Sequence, residues 1–293
     1  MKAGRIASDV RVGDRPSAVR RAPHPQEHRR RGGRRLVLRG LHPGRAGHAA
    51  RANDGCRSCV ARGTQHDGEF PLATLGGIIA LLAVESATRG RFIGLIPEIK
   101  HASYFRRIGL PMEDALLATL VAHEYTRRAP VEIQSFEIGN LKYLRGKLGD
   151  GSHGNIRLPQ LLGDAGERLY DVAATGGTLD YAQMMAPASL RAIATCADAI
   201  GPNVRAIIPL APDGRLGTPT ALVRDAYAAG LEVHPYTFRP ENCFLPRDLW
   251  QGSDSHGVSE AGSTAGIRAY LVVGIDAFFA DDPATGRKAL EGG

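Results

Sequence analysis

From residue 70 onward, the chain alternates between short strand-like runs and longer helix-like runs. The predicted strands are 91–100, 130–136, 155–163, 204–211, 231–239 and 277–283. The predicted helices are 71–90, 111–128, 137–148, one near 180–199, 218–230, one near 261–274, and 284–291. Because the strands and helices alternate in units of about 30 to 40 residues, the pattern predicts an α/β domain with parallel strands.

Polar side chains stand where the predicted strands end. The run GLIPEIKH (94–101) places Glu98 and Lys100 on one face, since residues i and i+2 of a strand point the same way. Later strands end in Gln134 and in Tyr236 with Arg239. An open doubly wound sheet would fit the alternation, but polar strand ends favour a β/α barrel, which builds its active site there.

Glu98 is the side chain with the most specific chemistry in this pattern. A carboxylate that points into a barrel mouth is costly to desolvate unless a cation compensates it. That cation could be the ammonium of Lys100 or a divalent ion, since Ca²⁺ and Mg²⁺ prefer oxygen ligands. A lysine beside such an ion suits a phosphate oxygen. The spacing alone supports a simple Glu–Lys ion pair as well as a metal site.

Four motifs in chain order resemble the successive strand ends of the glycerophosphodiester phosphodiesterase family. The resemblance is greatest to its longer, often periplasmic bacterial branch, and it covers about residues 68–290. The motifs are IPEIKH (96–101), VEIQSF (131–136), VHPYTFRPEN (233–242) and GIDAFFADDP (274–283). Their order over 188 residues (96–283) makes the resemblance specific, where one motif alone would be weak.

The resemblance implies a TIM-type (β/α)8 barrel whose third to eighth units are recognisable. It implies hydrolysis of small-molecule glycerophosphodiesters to an alcohol and glycerol 3-phosphate, with Ca²⁺ or Mg²⁺ as cofactor. Glu98 would then bind the metal ion and Lys100 the phosphate, while Tyr236 would pack against the glycerol moiety. Gln134 and Arg239 are the other predicted substrate-binding residues.

The first two barrel units of the family are missing or unrecognisable in this sequence. Neither the H-R-G motif that carries a catalytic histidine nor the E-x-D metal ligands occur before residue 67. Because each of two such histidines contributes about 10² to 10⁴ to the rate, we expect a poor enzyme and assign no catalytic residue. The alternative is an inactive barrel fragment that at most binds phosphate or serves as an interaction module. Open edges at 92–100 and 277–283 would favour self-association.

Residues 1–66 form a basic, arginine-rich segment that precedes the barrel domain of residues 67–293. The segment holds 16 basic and four acidic residues, whereas the remainder holds 21 basic and 26 acidic residues, for a total net charge of +7. A nucleic-acid-binding arm is disfavoured because aromatic residues for base stacking are not interleaved. We expect the segment to be disordered or translated in a shifted reading frame, since shifted GC-rich codons yield Arg, Gly, Ala and Pro.

The sequence leaves the cellular compartment open. No stretch reaches the roughly 18 to 20 apolar residues that span a bilayer. The first residues have no apolar core of a secretory signal, although the family resemblance suggests a periplasmic or extracellular enzyme.

Overall fold

A computed structural model describes residues 5–6, 69, 72–149 and 153–291. The predicted basic segment, residues 1–66, lies outside the described residues except for its two-residue strand. The strands are β1 (Arg5–Ile6), β2 (Val131–Glu132), β3 (Ile156–Arg157), β4 (Pro159–Leu162), β5 (Ala199–Pro202), β6 (Glu232–Val233) and β7 (Ala277–Phe278).

Helices follow the strands in the described part of the chain. They are α1 (Leu75–Arg89), α2 (Ala102–Arg107), α3 (Glu113–Ala122), α4 (Ile138–Leu148), α5 (Tyr170–Ala174), α6 (Tyr181–Met184), α7 (Pro187–Ile193), α8 (Val204–Ile207), α9 (Leu222–Ala228), α10 (Glu260–Val273) and α11 (Pro283–Glu291). Two short 3-10 turns lie at Asn242–Phe244 and Arg247–Leu249. None of these helices is long and apolar enough to cross a membrane.

The ends of the longer helices follow local chemistry that the sequence contains. The Thr74 side chain caps α1 by accepting a hydrogen bond from the backbone N–H of Gly77, and Ser259 caps α10 through Gly262. α1 ends at Gly90, whose φ of 65° is the left-handed conformation that glycine adopts without a steric penalty. The predicted helices at 71–90 and near 261–274 are confirmed.

Every strand pairing in the described sheets is parallel. β2 pairs with β3, while β4, β5 and β6 form a three-stranded sheet. Single parallel bridges extend this order at both sides. One bridge joins Leu95 to Val131, and another joins Phe238 to Ala280. The strand segments therefore follow one another in chain order, as expected of a TIM-barrel-like α/β fold.

The two faces of this parallel array differ in polarity. Val131 and Ile133 are almost fully buried in the hydrophobic core, together with Ile200 and Val233 of neighbouring strands. The alternate residues carry polar groups, and residues paired in register share a face. We call this side the polar face; it bears Glu98, Glu132, Gln134, Arg157, Glu232, His234 and Tyr236.

The predicted strand at 204–211 is wrong. The strand of this unit is Ala199–Pro202, which begins where the predicted helix near 180–199 was expected to end, and Val204–Ile207 is helical. Asn203 begins that helical turn by accepting a hydrogen bond from the backbone N–H of Arg205 at 2.9 Å. A short apolar run such as 206–210 does not distinguish a strand from a buried helical turn.

The prediction that the strand at 277–283 has an open edge is also wrong for the first two residues of that strand. Arg5 pairs with Ala277 and Ile6 with Phe278 in parallel register, so β1 covers this edge of β7. On the opposite side of the array, no described strand pairs with the outer edge of the segment that contains Leu95 and Glu98.

Candidate active site

Glu98 and Gln134 lie side by side at the ends of adjacent strand segments. The two residues form a parallel bridge, and the Gln134 backbone carbonyl accepts a hydrogen bond from Ile99 N–H at 2.9 Å. Lys100 Nζ lies 3.4 Å from Glu98 Oε2, and the lysine side chain is 71% exposed while the glutamate is 21% exposed. The structure thus brings together three of the predicted site residues, Glu98, Gln134 and Lys100. The side chain of Lys100 is largely exposed to solvent.

Two oxygen atoms at this position have no hydrogen-bond partner. Oε1 of Glu98 and Oε1 of Gln134 are both buried and unsatisfied. An unpartnered buried oxygen is costly, and a pair of them on adjacent strands fits a hard cation that takes oxygen ligands. Among the described residues, however, no group of three or more His, Cys, Asp or Glu side chains could hold a metal ion.

Tyr236 lies beyond β6 on the same polar face. It forms a parallel bridge with Asn203, and its hydroxyl donates a 2.9 Å hydrogen bond to the carbonyl of Leu162. Burial raises the pKa of Tyr236, and nearby negative charges, including that of Glu98, raise it further. By strand register, Tyr236 shares the polar face with Glu98.

Arg239 belongs to a different group of side chains. Its guanidinium lies 2.6 Å from Glu241 Oε1 and 3.5 Å from Asp281 Oδ2, and it stacks over the Phe244 ring at 4.1 Å. These contacts pair the guanidinium with the loop after β6 and with Asp281, which follows β7. No contact joins it to Glu98 or Lys100 in the described part of the chain, so its predicted substrate-binding role stays a prediction.

His234 is the centre of a charged network on the polar face. The imidazole is only 3% exposed; Nε2 lies 3.0 Å from Glu232 Oε2, and Nδ1 lies 3.3 Å from Glu132 Oε2 without hydrogen-bond geometry. Arg157 completes the network with a 2.8 Å ion pair to Glu232. The signal in the sequence was the i, i+2 spacing of Glu232, His234 and Tyr236.

The network shifts the pKa values of His234 and Glu232. Burial alone would lower the pKa of His234, but the two neighbouring carboxylates outweigh it and raise the pKa to about 9. The hydrogen bond from His234 lowers the pKa of Glu232 to about 2, with Arg157 acting in the same direction against the effect of burial. At neutral pH, a charged imidazolium therefore lies between two carboxylates.

We expect this network to give the stability of the protein a defined pH profile. The folded-state pKa of His234 is raised from 6.5 to about 9, so its contribution is complete below pH 6.5 and is lost as the pH rises through 9. The shift corresponds to about 3 kcal/mol. The folded-state pKa of Glu232 is lowered from 4.5 to about 2, so its contribution is complete above pH 4.5 and is lost as the pH falls through 2.

Urea titrations across the pH range test this profile, with the His234→Gln variant as control. The wild-type free energy of unfolding should decline above pH 6.5, and the variant should lose that alkaline decline. An identical alkaline decline in both proteins would contradict the assignment.

Glu137 is a second buried carboxyl group that the sequence analysis did not single out. It is 2% exposed, directly precedes α4, and accepts a 2.8 Å hydrogen bond from the backbone N–H of Ser103. Burial raises the pKa of Glu137, and the hydrogen bonds from Ser103 only partly offset that effect. The contact ties the segment after Lys100 to the start of α4 and so helps to position the strand end that carries Glu98.

No catalytic histidine can be assigned within the described residues. His101 directly follows Lys100 and has a φ of 52°, and its ring lies 5.3 Å from that of Tyr170. The runs HRRRGG (28–33) and LRGLHPGRAGH (38–48), which repeat letters of the family's first motif, lie outside the described residues.

The family model for the glycerophosphoryl diester phosphodiesterase family matches residues 93–285. The chain belongs to this family. Two of its relatives are glycerophosphodiester phosphodiesterase GDPD6 of Arabidopsis thaliana, 31% identical over 197 residues, and the glycerophosphodiester phosphodiesterase of Haemophilus influenzae, 25% identical over 179 residues. These matches cover 63% and 59% of this chain.

The chain spans about half the length of the curated relatives it matches, since each match covers 49% of the relative. A similar solved structure is a glycerophosphoryl diester phosphodiesterase from Silicibacter pomeroyi, with a TM-score of 0.47 and 16% identity. That similarity covers 74% of this chain and 56% of the other.

Proposed function

We propose that this chain acts on glycerophosphodiesters, hydrolysing them to an alcohol and glycerol 3-phosphate. The observation that carries the proposal is the placement of Glu98, Gln134 and Lys100 together at adjacent strand ends, inside the region that matches the family. β/α-barrel enzymes build their active sites at the carboxyl ends of their strands, which is where these three residues lie. The names of the two relatives support the same reaction.

A divalent cation, Ca²⁺ or Mg²⁺, would be held by Oε1 of Glu98 and Oε1 of Gln134, the two unsatisfied oxygens. Such an ion polarises a phosphoryl oxygen and stabilises the charge that develops on it. Lys100, exposed beside Glu98, would bind a phosphate oxygen as a point charge. Tyr236 would pack against the glycerol moiety and fix its orientation.

The second candidate function is phosphate binding without catalysis. It is favoured by the observation that the described residues contain no cluster of three metal-ligating side chains. If Glu98 and Gln134, the two candidates among the described residues, were the whole ligand set, a cation would be held weakly. Lys100 could still bind a phosphate group without any catalysis.

A hydrolysis assay separates the two candidates. We expect release of glycerol 3-phosphate from a panel of glycerophosphodiesters when Ca²⁺ or Mg²⁺ is present and none with chelator. The rate should be low, because each missing catalytic histidine lowers it by about 10² to 10⁴. Phosphate-induced thermal stabilisation without any product release would instead favour the second candidate.

A further inference from the structure

A surface segment next to the proposed site combines apolar and basic side chains. Residues 106–111, with the sequence RRIGLP, are all exposed to solvent, and we call them the 106–111 segment. Ile108 and Leu110 are each 49% exposed, although both are large apolar residues. The backbone N–H of Ile108 donates a 3.2 Å hydrogen bond to the Tyr104 carbonyl. That of Leu110 donates a 2.8 Å hydrogen bond to the Phe105 carbonyl, so an ordered turn presents the two apolar side chains to solvent.

α2 fixes the position of the 106–111 segment relative to the proposed site. The helix begins directly after the strand segment that carries the site. Its Ser103 N–H donates a 2.8 Å hydrogen bond to Glu137, which precedes α4. The Arg107 guanidinium donates a 3.1 Å hydrogen bond to the Tyr170 hydroxyl at the start of α5. The segment is therefore held beside the carboxyl ends of the strands, next to helices that follow the neighbouring strands.

The basic side chains of the segment are directed outward. Arg106 forms an ion pair with Glu113, but the arginine side chain is 50% exposed and the glutamate side chain only 2%. Arg107 has no carboxylate partner in the part of the chain that the structure describes. Asp114, at the start of α3, is paired with Lys147 at 3.4 Å. A charged surface that approaches the segment therefore meets the two guanidinium groups first.

The exposed apolar face of α1 does not have this charge. It is formed by Ile78, Leu81 and Val84. The charged residues of α1 are Glu85 and Arg89, which form a 3.0 Å ion pair with side chains 41% and 56% exposed. Because the two opposite charges are exposed together, this face has no net charge that would attract an anionic partner.

Aliphatic side chains beside outward-directed cations suit an anionic phospholipid surface. Such a surface takes up apolar side chains at the boundary between headgroups and acyl chains, and its phosphates attract arginine and lysine. Lys100 adds a further cation, since its side chain is 71% exposed whereas that of its partner Glu98 is 21% exposed. A folded protein partner would need a closely packed, shape-complementary contact. Six consecutive exposed residues at a turn fit a fluid surface better.

We propose that the 106–111 segment docks the protein onto an anionic phospholipid surface. Ile108 and Leu110 enter the headgroup region, and Arg106 and Arg107 contact lipid phosphates. The segment adjoins the proposed site, so docking holds that site near a surface rich in phosphodiesters. The inference goes beyond the proposed function, because docking does not require hydrolysis.

Co-sedimentation of the full chain with lipid vesicles tests the proposal. In EDTA, which prevents bridging by divalent cations, the chain should bind vesicles that contain phosphatidylglycerol at least about tenfold more tightly than vesicles of phosphatidylcholine alone. Binding should weaken as the ionic strength rises from about 0.1 M to about 1 M, because the Debye length falls from about 10 Å to about 3 Å. Equal binding to the two kinds of vesicle would contradict the proposal.

Variants show which part of the chain binds the vesicles, since residues 1–66 are also basic. Leu110→Asp should lower the affinity for anionic vesicles by at least about tenfold, because it removes an inserted apolar side chain and adds a negative charge. Arg107→Gln should lower it by about fivefold. Val272→Asp is the matched control: Val272 is 88% exposed on α10, and the same change there should leave the affinity unchanged.

Leu110→Trp reports insertion directly and stays informative if Leu110→Asp does not fold. Its fluorescence should shift to shorter wavelength when anionic vesicles are added, because the indole enters a less polar environment. Val272→Trp should show no shift, and Trp250 contributes the same background to both variants. The absence of a shift in Leu110→Trp would reject insertion of the segment.

Three further results would overturn the proposal. Unchanged vesicle affinity in both Leu110→Asp and Arg107→Gln would assign the binding to residues 1–66. Loss of binding in Leu81→Asp, with full binding in Leu110→Asp, would assign it to the face of α1. Concentration-dependent dimerisation that Leu110→Asp abolishes, without any binding to vesicles, would make the 106–111 segment a contact between two copies of the chain.

Discussion

Ca²⁺ or Mg²⁺ is expected to raise the melting temperature of the wild-type chain, and Glu98→Ala is expected to abolish that increase. Glu98 supplies the carboxylate of the proposed metal site, and the neighbouring Gln134 can offer only a neutral amide oxygen. A ligand present at 100 times its Kd stabilises the folded state by about 2.7 kcal/mol, so the lost shift should be readily measurable. The variant should also lose any metal-dependent hydrolysis.

Two further variants separate metal binding from a general change in charge. Glu124→Ala removes an exposed carboxylate from the loop after α3 and should leave the metal-induced shift unchanged. Gln134→Met keeps the side-chain volume but removes the amide oxygen, so it should reduce the shift without abolishing it. A full metal-induced shift in Glu98→Ala would remove Glu98 from the metal site and leave its ion pair with Lys100 as its only role.

Strand parity was enough to predict which polar side chains lie beside one another at the strand ends. Glu98 and Lys100 share a face through their i, i+2 spacing, and the bridge to Gln134 places the next polar strand end beside them. A motif predicted that Tyr236 lies in the same region, and the register of the strands places it on the polar face with Glu98. The positions of these residues could be predicted because they depend only on the alternation of side chains along a strand and on the order of the strands.

Other features depend on contacts between distant parts of the chain, which one sequence does not reveal. The network around His234 joins Glu132 and Arg157, which lie about a hundred and about eighty residues earlier. The hydrogen bond from Ser103 to Glu137 and the meeting of Phe136 with Tyr181 are of the same kind. The strand at 199–202 was missed because its apolar run is short and adjoins a helical pattern.

α1 carries an exposed apolar face. Ile78, Leu81 and Val84 recur at three-residue spacing and are 38%, 61% and 63% exposed. In a β/α barrel, such a face packs against the helix of the neighbouring unit. α1 adjoins the segment with Leu95 and Glu98 through Ser86, whose hydroxyl accepts a 2.9 Å hydrogen bond from Ile93 N–H, and no described strand pairs with the outer edge of that segment. An exposed helix face beside an unpaired strand edge is what the hypothesis of two missing units predicts.

Translation of the coding DNA upstream of codon 67 in the other two frames is therefore expected to yield the H-R-G and E-x-D motifs. Residues 1–66 contain 15 arginines and no apolar period, a composition that a shifted frame of GC-rich DNA produces. The two encoded units would supply the catalytic histidines and further metal ligands, and they would cover Leu81 and Val84.

Restoring that frame should raise the rate of glycerophosphodiester hydrolysis by at least about 10²-fold, since each recovered histidine contributes about 10² to 10⁴. The measurement compares kcat/KM of the restored chain with that of the chain described above under the same metal concentration. Leu81→Lys serves as a structural check: it should be tolerated in the present chain, where Leu81 is exposed, and destabilise the restored chain, where the new unit buries it. If neither alternative frame encodes the two motifs, the shifted-frame hypothesis fails, and the basic segment is a genuine part of a divergent family member.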